Sequence, residues 1–206
     1  MKLAYHDIAA AGPGAPAVVL HREGLTMDGP TGVARATAGV GRVVAPHGDY
    51  GYYPSGMEVG GICWYRVLPG FAGTDPISLA KAVVQVGDLL DDLGLEEPVL
   101  MGWGQGGVVA IGAGLLRAEQ VGSVVSVDAP LGHLELLPAR ALAAAYRPPI
   151  LLAATDPSGA PLLDHQQRVL SHAGGTPTTW YRPVDGTPED RDKAVAARIG
   201  RWLEDG

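Results

Sequence analysis

The chain has 206 residues, 47% of them hydrophobic, and a formal net charge of −7. That is enough to cover one core and short for two, so residues 1–206 read as a single domain. No Lys/Arg stripe, no run of about 18 apolar residues and no basic-then-apolar start is present, which argues against nucleic acid, a membrane span and a secretory signal.

Short apolar runs alternate with longer helical patterns, the signature of a mostly parallel sheet with helices on both faces. The expected strands are Ala17–Leu20, Arg42–Ala45, Pro98–Met101, Ser123–Val127, Ile150–Ala154 and Thr178–Tyr181, with a weaker antiparallel strand near Lys2–Ile8. The expected helices are Ile77–Leu93, Gly106–Arg117, Leu162–Ala173 and Pro188–Trp202. Asp75 before Pro76 reads as an N-cap with proline at the first helical position. Leu79, Val83, Val86, Leu90 and Leu93 then recur at helical spacing and should face the sheet. Trp202 and Leu203 should close the last helix onto the core.

The segment from Pro46 to Gly73, "PHGDYGYYPSGMEVGGICWYRVLPG" and its continuation, concentrates aromatic and polar side chains after a strand. An open α/β sheet builds its binding crevice at such strand ends, which makes Tyr50, Tyr52 and Trp64 candidate substrate contacts. His47 beside Asp49 is the better candidate base there. The bland alternative is an irregular loop packing its own rings over the sheet edge.

The stretch "EEPVLMGWGQGGVVAIGAGLL" reads as a buried strand, a glycine turn and a helix. Gly102, Gly104 and Gly107 match a dinucleotide fingerprint, with Asp128 near the place of a ribose-binding acid. The same residues match G-x-S-x-G with Gly104 in the serine position. Two strands and the aromatic segment precede the turn, whereas a dinucleotide fold opens with its fingerprint; position therefore favours the second match.

"VLMGWGQGGVVAIGAGLL" resembles the elbow of the carboxylesterase/phospholipase and acyl-protein thioesterase branch of the α/β-hydrolases, relatives of the dienelactone hydrolases, where it reads roughly GFSQGG. "VVLHREG" resembles the loop that completes the oxyanion hole there, "ILLAATDPSGAP" the strand and turn that present the acid, and "TTWYRPVDG" the last strand and the loop that carries histidine. The resemblance implies an α/β-hydrolase fold, compact and with little or no cap domain. It implies Gly104 as a vacant nucleophile position, Asp156 as the acid, and Asp185 roughly where the histidine should stand. It further implies an oxyanion hole from the backbone N–H groups of Glu23 and Gln105, flanked by His21, Arg22 and Trp103, with His133 on a substrate-covering segment.

Gly104 has no side chain and no histidine follows the last strand, so a conventional serine esterase is not expected. Cys63, Ser55 and Ser126 carry no signature of a substitute nucleophile, and Cys63, the lone cysteine, suits a reducing cytoplasm. Six scattered histidines give no metal spacing, and neither metal nor cofactor is expected. Several functions compete. One is a small-molecule enzyme that uses the oxyanion hole without covalent catalysis, with His47, Glu23 or Asp185 moving a proton. Another is an inactive binding or regulatory module, a third an esterase disabled by mutation, and the dinucleotide-binding reading trails behind. A homodimer is compatible with the sequence, which does not decide it.

Overall fold

The computed structural model describes residues 3–8, 13–24, 28–51, 60–68, 73–130, 133–137, 139–143, 148–155, 159–182 and 187–205. In chain order come β1 (Tyr5–Ile8), β2 (Ala15–Leu20), α1 (Asp28–Ala36), β3 (Val40–Pro46), β4 (Tyr50–Gly51), β5 (Ile62–Cys63), β6 (Val67–Leu68) and β7 (Gly73–Thr74). Then follow α2 (Pro76–Leu93), β8 (Val99–Trp103), α3 (Gln105–Leu116), β9 (Ser123–Val127), a 3-10 turn (Leu134–Leu136) and α4 (Ala139–Leu142). The chain continues through β10 (Ile150–Ala154), α5 (Gly159–His172), β11 (Thr178–Tyr181) and α6 (Pro188–Asp205).

The main sheet has seven strands in the order β1-β3-β2-β8-β9-β10-β11. Only β1, along β3, runs antiparallel. Successive side chains of a strand point to opposite faces, and here both faces are covered. Val18, Leu20, Leu100, Val124 and Leu152 join one core with residues of α2, α3 and α5. Ala17, Val19, Met101, Val125 and Leu151 join a second core with Val33 of α1 and Val195 and Ile199 of α6. Trp202 and Leu203 pack against that second core, as their place at the end of the helical pattern suggested.

Helix α2 shows why the element boundaries were readable. Asp75 accepts the Ile77 N–H at 3.1 Å, Pro76 starts the helix, and Gly94 ends it in the left-handed region at φ 56°. Leu79, Val83, Val86 and Leu90 are buried on one stripe, with Leu93 packed at its end. Helix α1 was not expected, because Gly29, Pro30 and Gly32 give its sequence the look of a turn. It forms because Val33 and Ala34 are buried against the sheet. Within the described part of the aromatic segment, β4 pairs with β5 and β6 with β7. Among the described residues no helix is long and apolar enough to cross a membrane.

Candidate functional site

The site is built around the turn between β8 and α3, where a single residue, Gly104, separates strand from helix. Its φ of 54° and ψ of −123° lie where residues with a Cβ are strained. Its N–H donates to the Val127 carbonyl at 2.9 Å, which ties the turn to β9. The neighbouring glycines are set by close approach. A Cβ on Gly102 would lie 2.1 Å from the Gly106 carbonyl oxygen, and one on Gly106 would lie 2.5 Å from that of Leu20. Strand end, helix start and β2 are thus in backbone contact.

Above Gly104 stands a carboxylate. Glu23 Oε2 accepts the Gln105 N–H at 2.9 Å and lies 2.5 Å from the place a Gly104 Cβ would occupy. The first N–H groups of a helix have no intrahelical acceptor and carry partial positive charge, so an anion is stabilised there. The resemblance assigned the Gln105 N–H to a substrate oxygen; here the chain's own Glu23 side chain holds it. Arg22 crosses the same turn, with Cγ and Nε 3.2 and 3.3 Å from that Cβ position. Gln105 is engaged at its other end too: its Oε1 accepts the N–H groups of Trp64 and Tyr65 at 3.1 and 3.3 Å.

Several expected site residues serve the frame. His21 is fully buried; its Nε2 accepts the Gly48 N–H at 3.0 Å, so Nδ1 carries the proton and donates to the Arg22 carbonyl at 2.8 Å. Trp64 stacks on His21 and donates from Nε1 to its carbonyl. Only 1% of Trp64 is exposed, so the indole supports the loop from beneath and offers a ligand no face. Asp49, the sequence neighbour of the candidate base His47, has its hydrogen bonds elsewhere. Asp49 accepts from Lys81 at 2.9 Å and Gln85 at 2.7 Å on α2, while the His47 ring meets His6 edge-on at 4.9 Å. Tyr50 lies under the cations of Arg66 and Lys81, each 5.3 Å from its ring centre. Asp128, offered above as a ribose-binding acid, has both carboxylate oxygens taken by Thr155, through its N–H at 2.8 Å and its hydroxyl at 2.7 Å. Asp156, Asp185 and Tyr52 lie outside the described residues.

One partner escaped the sequence reading. Tyr65, fully buried, meets His133 Nδ1 through its hydroxyl at 2.6 Å, joining residues 68 apart in the chain. Burial, aided by the Glu23 charge, raises the tyrosine pKa well above its usual value, and burial lowers that of His133 against the same charge. The phenol therefore keeps its proton and the imidazole is neutral near pH 7. No spacing rule connects the two residues, so nothing short of the fold could have paired them.

Cys63 is buried, and desolvation reinforced by Glu23 pushes its thiol up to about 11. A thiol so protonated is a poor nucleophile. Iodoacetamide should leave Cys63 unmodified in the native protein and label it after urea unfolding; fast native labelling would contradict the buried thiol. The histidines also predict a pH response. Burial is the largest cause of the lowered pKa of His21, His47 and His133, each below the usual 6.5. The unfolded chain then binds protons first as pH falls, so stability is full above about 6.5 and declines below it. A urea midpoint measured between pH 8 and 5 should drop on the acid side; a flat profile would show ordinary titration of these rings.

No protein-family model matches the sequence, and no curated protein does. Solved structures do match. Esterase PE8 superposes with a TM-score of 0.72 at 18% identity, over 100% of this chain and 99% of its own. Acyl-protein thioesterase 2 of Zea mays gives 0.70 at 16%, over 99% of both chains. A carboxylesterase from Mesorhizobium loti gives 0.75 at 18%, over 98% of this chain and 94% of its own. This chain has the α/β-hydrolase fold. In an α/β-hydrolase sheet the C-terminal strand ends carry the chemistry, and that is the edge on which Glu23, Gly104 and Gln105 meet.

Proposed function

We propose that this chain binds a small acyl, carbonyl or aromatic substrate at the ends of β2, β8 and β9 and acts on it without a serine nucleophile. Glu23 is the group that moves the proton. The observation that carries this reading is the Glu23 carboxylate over Gly104, hydrogen-bonded to the first N–H of α3. Gly104 stands at the serine position of the elbow pattern, and the missing hydroxymethyl leaves room that this carboxylate fills.

The arrangement couples two events. As Glu23 takes a proton from a carbon beside a carbonyl, or from a water, its negative charge passes to the substrate oxygen. The protonated carboxyl is a weaker acceptor, so the Gln105 N–H is released to the oxygen that now carries the charge. The helix N-terminus thus stabilises the anion before and after the transfer. Enolisation leading to isomerisation, elimination or cyclisation fits this step, and so does water-mediated hydrolysis. The neutral Tyr65–His133 pair, within the field of Glu23, is a second proton-handling unit at the same edge.

Turnover of acyl or enol substrates with no labelling by a fluorophosphonate is the expected result. Inertness across a broad panel, with ligands shifting the melting temperature but leaving unchanged, would favour the second reading, an inactive binding or regulatory module. Esterase activity with fluorophosphonate labelling after Gly104→Ser would instead return the chain to the serine esterases. No histidine follows the last strand to activate such a serine, which would also have to displace Glu23, so the variant should stay inactive.

A further inference from the structure

Beside the turn, on the face covered by α1 and α6, a cavity of about 270 Å³ opens between the two helices. Arg22 reaches it after crossing Gly104, and Arg191 lines it from the first turns of α6. The Nε atoms of both arginines are buried and have no hydrogen-bond acceptor among the described residues. Buried guanidinium donors are normally satisfied, and two around one cavity call for an acceptor that enters it.

The acids on the wall do not supply it. Both Asp128 oxygens are held by Thr155, and among the described residues no ion pair joins Asp192 to either arginine, although the Arg191 charge acts on its carboxyl. Burial raises the Asp192 carboxyl pKa, against the smaller lowering effect of the Arg191 charge. The remaining wall is largely apolar, with Trp103, Val33 and Val195. The cavity is therefore lined by two arginines with unpartnered Nε atoms and by a largely apolar remainder. Carboxylates match a guanidinium fork with two parallel hydrogen bonds. A doubly charged phosphate would meet stronger repulsion from Asp128 and Asp192 in the same small space.

We infer that this cavity seats a small carboxylic acid, its carboxylate between Arg22 and Arg191 and its apolar body on Trp103. The acid is the anionic end of the substrate. Because the Arg22 stem lies over Gly104, a molecule held by its guanidinium sits beside the turn at which Glu23 and Gln105 meet. The inference rests on the reading of this edge as a substrate site, but binding alone tests it.

Calorimetric titrations of the full chain with phenylacetate, phenylacetamide and phenyl phosphate decide the matter. Phenylacetate should bind, and Arg191→Met should weaken it at least about tenfold, the loss of a hydrogen bond to a charged group. Phenylacetamide should bind at least about tenfold more weakly and be indifferent to the substitution. Arg22→Met is the second variant, and circular-dichroism melts establish that both are folded. Equal affinity for acid and amide, preference for phenyl phosphate, no binding to the parent, or unchanged acid binding in both folded variants would each overturn the seat. An acid that binds and is never converted leaves the seat standing and removes only the proposed chemistry.

Discussion

Glu23→Gln should lower turnover by about 10²–10⁴-fold, the usual contribution of a positioned general base. The substitution is nearly isosteric, and its amide oxygen can still accept the Gln105 N–H that Glu23 Oε2 accepts at 2.9 Å. The helix end therefore stays capped and the melting temperature should hardly move. An amide cannot take a proton at neutral pH, so the loss should fall on kcat and leave KM nearly unchanged. Glu23→Asp retains the charge but shortens the reach to the turn, and intermediate activity is expected. Unchanged kcat in Glu23→Gln would reduce the carboxylate to a helix cap and remove it from the chemistry.

Gly106→Ala should destabilise the fold by about 3 kcal/mol or more, at the upper end of overpacking costs. The added methyl would lie 2.5 and 2.6 Å from the carbonyl oxygens of Leu20 and His21. Both are backbone atoms of a central strand and the residue after it, and neither can rotate away as a side chain does. Gly32→Ala is the matched control. Gly32 sits within α1 with nothing inside 4 Å of its Cβ position, so alanine there should stabilise by about 0.5–1 kcal/mol. Urea midpoints of the two variants should move in opposite directions. Similar small shifts would mean that β2 and α3 can separate, and with them Glu23 and Gln105.

The layered sheet was legible because its determinants are local. Ser123–Val127 and Ile150–Ala154 are strands with the expected limits, since apolar runs buried on both faces leave little room for a different boundary, and the mostly exposed edge strand Thr178–Tyr181 also has its expected limits. Asp75-Pro76 and Gly94 bound α2 for equally local reasons of backbone geometry. Helix α1 was hidden because tertiary burial of Val33 and Ala34 overrides the glycines and proline within it. At the site, the sequence pattern indicated which strand ends converge but not where their polar side chains go. Glu23 and Gln105 are 82 residues apart, and the backbone reading of the oxyanion loop left the direction of the Glu23 carboxylate open. Asp49 makes the same point in reverse. It stands two residues from the candidate base His47 in the chain, yet α2 brings Lys81 and Gln85 to its carboxylate.

Gln105 joins two parts of the molecule that chain order separates widely. Its main-chain N–H holds Glu23 and its side-chain oxygen holds two consecutive amides of the aromatic segment. Lifting Trp64 and Tyr65 away from the sheet breaks both of the latter bonds at once, beside the residue that fixes the carboxylate. Deuterium uptake at these amides and at Gln105 would then follow a single opening event with one protection factor. The first turn of α3 thus ties the backbone at Trp64 and Tyr65 and the Glu23 carboxylate to one residue.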